Sequence, residues 1–248
     1  MIFIIGASLG SFMQCITENK LYLLRRSQCE HCGHQLNWYE LIPIFSYLFL
    51  RGKCSLCKKQ IPLKHFIVEC IFGGVFVLVI HNTTNHLLVI HLLMISFILP
   101  LSIYDIEHYQ IPNKILIIMM VCLCIVIYSQ YFYVFPFYNQ EPFFQFSSTI
   151  AFMKISIILL LHLFYFLTKS IGYGDIKLLS ILSVGLDPAF FIAMFLMMYI
   201  VGGLCAIIFL CYKSEIKKIP FVPFIFAGYI LVVLLYDEIH IIFLGGFY

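Results

Sequence analysis

Residues 87–104 read LLVIHLLMISFILPLSIY and run straight into Asp105-Ile106-Glu107-His108-Tyr109-Gln110-Ile111-Pro112-Asn113. The run holds no Lys, Arg, Asp or Glu. Wound as a helix at about 1.5 Å per residue, it approaches the ~30 Å of a bilayer's hydrocarbon core. Its next residue is a carboxylate. A charge at mid-membrane costs about 2.5–3.5 kcal/mol on insertion scales, so an acid placed here marks either the membrane interface or a function.

The rest of the chain repeats the pattern. Of 248 residues, 62% are hydrophobic and 11% charged, against roughly 25% charged in soluble domains. Mean hydropathy is +1.01. One globule of this size could not hide that much apolar surface, so lipid must cover part of it. Further apolar runs occupy residues 2–16, 66–80, 115–134, 148–168, 176–186, 189–212 and 221–244. The expected fold is an all-α integral membrane protein of about eight transmembrane helices. Residues 1–16 form its first span, 17–65 a small zinc-ribbon-like cytoplasmic loop, and 66–248 a membrane domain. The first run has no basic residues ahead of it and no small-residue cleavage site behind it, and reads as a retained span. Runs 2–16, 66–80 and 176–186 fall short of the roughly 17–25 residues a span needs, and are expected to be tilted, re-entrant or longer than they look.

Orientation follows from the basic residues. Lys20, Arg25, Arg26, Arg51, Lys53, Lys58, Lys59 and Lys64 lie in the polar loop, which the positive-inside rule assigns to the cytoplasm, with the N-terminus outside. Counting spans from there puts residues 104–114, 169–175 and 213–218 on the same face. The opposite loops, 81–86, 135–147 and 187–188, hold no Lys or Arg. Lys154 is the misfit, expected to snorkel from the outer end of its span. A net charge of +3 is too small to point to nucleic acid. Oligomeric state is not legible.

Within the polar loop, Cys29-Glu30-His31-Cys32 and Cys54-Ser55-Leu56-Cys57 form two C-x-x-C knuckles. This spacing lets four thiolates converge tetrahedrally on one Zn²⁺, and four cysteines close the coordination sphere, so the expected metal is structural. Metal-free or redox thiol pairs are the alternatives. His31 and His34 read as bystanders, and the other six cysteines as small hydrophobes in apolar runs.

A second acid matches Asp105. Asp175 stands in Gly172-Tyr173-Gly174-Asp175-Ile176-Lys177, at the same predicted face. Two helices can therefore bring two carboxyl groups to one depth. Carboxyls sharing a site do not both ionise easily, so one can act as base on a water while the other polarises a carbonyl. Gly172 and Gly174 leave room for an extended substrate backbone and permit unusual dihedrals. Lys177 is grouped with the two glycines as a substrate-binding residue, either tuning the pair or anchoring at the interface. Taken singly, each acid reads as a cap or an interfacial residue, and Glu107, His108 and Glu69 stay under that reading.

The ordered set resembles the type IV prepilin leader peptidases, membrane aspartic peptidases with a G-x-G-D motif. Its pieces are Gly10-Ser11-Phe12; Cys29 with Cys32; Leu41-Ile42-Pro43-Ile44-Phe45-Ser46-Tyr47; and Arg51-Gly52-Lys53-Cys54 with Cys57. Then come Glu69, Asp105 with Ile111-Pro112-Asn113, Gly172 through Leu178, and Ile219-Pro220-Phe221-Val222-Pro223-Phe224. The resemblance implies that Asp105 and Asp175 cut the short basic leader of pilin, type II secretion pseudopilin or DNA-uptake precursors on the cytoplasmic side, after a glycine. It also implies a cell-membrane location. Many relatives then methylate the new amine with S-adenosylmethionine. Where such chains continue from Gly-Ser-Phe with Asn, this one reads Met13-Gln14-Cys15-Ile16-Thr17, a departure that bears on methyl transfer and leaves the peptidase residues untouched.

Two other classes compete. A channel or transporter would use paired acids nearer mid-membrane. A zinc-ribbon interaction module with merely interfacial aspartates would leave the ordered matches after residue 66 unexplained.

Overall fold

Long unbroken runs of Leu, Ile, Phe, Val and Met satisfy their backbone groups internally only as helices, and the described residues of the computed structural model are mostly helical. It describes residues 1–18, 27–29, 31–83, 85–129, 148–211 and 219–235. They form two units, Met1–His81 and Asn82–Tyr248.

In the first unit, α1 (Ile2–Glu18) packs on α3 (Leu63–Asn82). Close approach requires glycine here: a Cβ on Gly6 would sit 2.7 Å from Phe76, and one on Gly10 2.5 Å from Phe72. Between these helices lie a 3₁₀ turn (Trp38–Leu41), the short α2 (Phe45–Phe49) and the cysteine knuckles. Glu40 secures the 3₁₀ turn, its carboxylate accepting the Asn37 N–H at 2.7 Å. Glu69 does the same for the chain before α2, taking the Ile44 N–H at 2.7 Å.

The second unit contains α4 (Asn85–His108), α5 (Asn113–Ser129), α6 (Ser148–Thr168), α7 (Tyr173–Gly185), α8 (Pro188–Cys211) and α9 (Val222–Leu234). Its core is the face of α4 carrying Met94, Ile98 and Leu101, closed by Leu179 and Leu182 of α7, Met119 of α5 and Ile225 of α9, all buried. Helix α9 lies directly on α8. A Cβ at Gly228 would meet backbone atoms of Met198 and Met194 at 2.8 and 2.9 Å, the small-residue contact by which membrane helices pack closely.

Among the described residues, four helices are long and apolar enough to cross a membrane: Leu63–Asn82, Leu87–His108, Ser148–Thr168 and Pro188–Ile208. Their outward side chains agree, with Phe152, Leu159, Leu160, Phe166 and Leu167 of α6 all exposed. The chain is a helical membrane protein. Helices α1, α5 and α9 are apolar but shorter among the described residues.

Some expectations change. The run at 66–80 is longer than it looked, forming all of α3. The run at 176–186 is a 13-residue helix, about 20 Å long and too short to span. Asp105 does not follow its helix but lies inside the last turn of α4. Lys154 does not snorkel: its Nζ donates to the Val184 carbonyl at 2.8 Å, meeting a carbonyl that the end of α7 leaves without a helical partner. Lys20, Arg25, Arg26, residues 135–147 and 213–218, and the ends of the runs 115–134, 189–212 and 221–244 lie outside the described residues.

Candidate functional site

Asp105 continues the buried face of α4, four residues beyond Leu101, and is itself only 5% exposed. A buried carboxylate needs donors. Asp105 finds them at the start of α9, where its Oδ2 accepts the Val222 N–H at 3.1 Å and the Phe221 N–H also points to it. These amides belong to the first turn of a helix, which has no internal partners for them and carries the positive end of the helix dipole. The arrangement gives the buried Asp105 carboxyl two backbone donors.

Asp175 occupies the first turn of α7 and folds back on the N–H of Gly172, the helix's N-cap. It is close enough to Asp105 for the two charges to act on each other. The fold thus brings the two sequence-identified acids together, one from the end of α4 and one from the start of α7.

The glycines serve a purpose other than unusual dihedrals. Gly172 has φ −62° and ψ 140°, extended backbone open to any residue. What its missing Cβ supplies is room: a methyl there would lie 2.8 Å from Asp175 Oδ2. At Gly174 a Cβ would come within 3.2 Å of Ile111 Cβ. Lys177 is engaged within the protein, donating to Asn113 Oδ1 at 3.0 Å and lying 4.7 Å from the Tyr173 ring centre. It ties α7 to the Ile111-Pro112-Asn113 turn. Sequence reasoning missed the amides of Phe221 and Val222. The string 219–224 was visible as a motif, and Pro223 in the first turn marks a helix start, but nothing in one dimension links it to an acid over a hundred residues earlier.

A second cluster lies in the first unit. The sulfurs of Cys29, Cys32, Cys54 and Cys57 all fall within 4.8 Å of one another, and the Cys29–Cys57 and Cys32–Cys54 pairs are each 3.9 Å apart. A tetrahedral metal with ~2.3 Å bonds to sulfur needs thiolates about 3.8 Å apart, so the four can hold a metal ion. The two knuckles fold alike. In each, the first cysteine carbonyl accepts the N–H of a residue with positive φ: Gly33 (68°) bonds Cys29, and Lys58 (59°) bonds Cys54. Backbone N–H groups of Cys32 and His31 pull the Cys29 thiol down to about 6, whereas at Cys32 the pull of the His34 N–H is outweighed by burial and the neighbouring thiols, which push it up to about 11. His31 and His34 stand outside this set, contacting Lys59 and Glu40 respectively. Beside the knuckles lies a cavity of about 310 Å³ whose lining includes Ser11, Glu40, Tyr47, His65 and Glu69.

Comparison with known proteins bears on both sites. The profile of the Type IV leader peptidase family matches residues 92–209, and that of the Bacterial Peptidase A24 N-terminal domain matches residues 4–83. A "Prepilin leader peptidase/N-methyltransferase" of Vibrio cholerae is 30% identical over 183 residues, 71% of this chain and 68% of that one. The chain belongs to the type IV leader peptidase family. Family members of the same description include one from Bacillus subtilis, 27% identical over 96% of this chain and 95% of its own. Another, from Myxococcus xanthus, is 32% identical over 116 residues, 45% of this chain. The match spans only about a third of the Myxococcus protein, 35%. No solved structure gives a significant match. Asp105 and Asp175 lie inside the stretch matched to the leader peptidase family, and all four cysteines inside the N-terminal one.

Proposed function

We propose that the protein is a membrane-embedded aspartic endopeptidase that removes the leader of type IV prepilin or pilin-like precursors. The observation that carries this reading is the pairing of a buried, amide-bound Asp105 with Asp175 of the G-x-G-D string, in a family whose relatives are described as prepilin leader peptidases. Asp105, held by the α9 amides, takes a proton from water as its oxygen attacks the scissile carbonyl carbon. Asp175, protonated, donates to the carbonyl oxygen. When the tetrahedral intermediate collapses, the C–N bond breaks, the leaving amine takes the proton from Asp105, and one hydroxyl of the intermediate returns its proton to Asp175, so both aspartates end as they began. Gly172 and Gly174 would border the substrate backbone, and Lys177 would contribute by fixing α7.

The remaining parts of the reading concern placement. The reading has about eight membrane spans, with the N-terminus outside and the aspartates at the cytoplasmic face of the cell membrane. A prepilin presents a basic leader before a long apolar helix, so its cut site lies at the same boundary. Zinc is the metal the four thiols fit, in a structural part. Methyl transfer, the second activity in the relatives' description, would draw on S-adenosylmethionine. Glu40 and Glu69 give the first unit's cavity the acceptor oxygens that an amino group and ribose hydroxyls require.

The test is to incubate the purified chain with a pilin-like precursor in detergent and map the products by mass spectrometry. Cleavage after the leader glycine is expected, and a methyl group on the new amine if S-adenosylmethionine is added. An uncut precursor would return the aspartates to a channel or transporter reading.

A further inference from the structure

Three helices beside the aspartates do not close on each other. Helix α6 packs along α7, whereas α8 rests on α9 and meets α6 and α7 only at their edges. Between them lies a cleft of about 460 Å³. Its walls include Leu160 and Phe164 of α6, Leu179 of α7, and Ile192 and Leu196 of α8, and its lining is apolar apart from the phenol of Tyr199. Leu160 is 63% exposed and Ile192 48%, so the cleft is open along its length.

Its position gives the cleft meaning. Ile171 and Ile176, the residues immediately before and after Gly172 to Asp175, both line it. Its α6 residues run from Ile157 to Phe164 and its α8 residues from Phe191 to Tyr199, a strip of about 10–12 Å or two helical turns. Phe164, Ile176 and Tyr199 mark the end near Asp175, and Ile157 and Phe191 the far end. The volume suits a few large apolar side chains spaced i, i+3, i+4 and i+7 on one helix.

We infer that this cleft is the docking groove for the apolar helix of the precursor, holding the first two turns after the cut while the leader stays at the aspartates. The inference rests on the peptidase reading above. The occupant is the substrate helix because the groove begins where the scissile bond must lie and offers a lone polar group, which suits a peptide segment whose backbone is already hydrogen-bonded within a helix. The groove then measures register. Anchoring the helix at fixed depth presents one peptide bond to the aspartates, which gives a single cut site.

Two measurements on the full-length protein test this. First, Leu196→Trp fills the groove, while Leu167→Trp, on the outer face of α6 and 76% exposed, serves as control. The rate of precursor cleavage relative to cleavage of a leader peptide lacking the helix is expected to fall about tenfold in L196W and to stay at the wild-type ratio in L167W. Second, a photo-crosslinker at position 192 in the Asp175→Asn protein is expected to capture the first two turns of the precursor helix, a readout that needs no cleavage. An unchanged ratio in L196W, or crosslinks confined to lipid or to this chain's own segments, would overturn the groove. If wild type cuts nothing but the crosslink to the precursor helix forms, the groove stands and the peptidase reading falls.

Discussion

Lys177 shows how a single side chain can tie two parts of the candidate site together. Its bond to Asn113 joins α7 to the turn before α5. Lys177→Met is expected to cost about 0.5–1.5 kcal/mol, a typical net hydrogen bond. Asn113→Ala should cost a similar amount and the double variant little more than either, read from thermal unfolding in detergent as a double-mutant cycle. Glu40 provides a second test. The Ser55 hydroxyl, the Asn37 N–H and a nearby His34 hold its carboxyl below the usual glutamate range. A depressed folded pKa means its contribution is present above the ordinary carboxylate range and is lost as pH falls through the folded value. Wild type should therefore unfold at higher temperature than Glu40→Gln near neutrality, and that difference should shrink as pH drops below about 4.5. Both acids of the candidate pair were legible because charge is scarce in this sequence and each stands at the edge of an apolar run. Their partners were not. Backbone amides carry no sequence signature, so the hold of Phe221 and Val222 on Asp105 appears only when α9 folds against α4.

At the scale of elements, the site depends on α9 keeping its place, since its first turn supplies those amides. Gly228 fixes that place through contact with the α8 backbone, and backbone cannot give way as a side chain can. Gly228→Ala is expected to destabilise the protein by about 1–3 kcal/mol. Gly203→Ala, with no atom within 4 Å of the added Cβ, should be neutral or slightly stabilising, since glycine mid-helix is unfavourable. Comparison of the two melting temperatures checks this. Element boundaries were legible where hydropathy alone decides them, as for α6, whose run at 148–168 is the helix itself. They were misjudged where polar residues enter a helix: α4 continues through Asp105 and Glu107, and α7 begins two residues before Asp175. In both places the sequence's polar residue belongs to a helical turn and carries the candidate chemistry.

Taken whole, the chain combines a first unit that carries the four-cysteine cluster with a helical second unit that carries the aspartates. Zinc is expected at one ion per chain, measured by elemental analysis, and lost in Cys29→Ser or Cys57→Ser together with stability of the first unit. The central claim is that Asp105 and Asp175 act as one catalytic pair, and the most direct measurement is precursor cleavage by wild type, Asp105→Asn, Asp175→Asn and the double variant, each confirmed folded by circular dichroism. Each single change is expected to lower the rate by about 10²–10⁴-fold, with the double variant no slower than the worse single, as for groups that work as a unit. Wild-type cleavage by either single variant, or losses that multiply in the double, would contradict it.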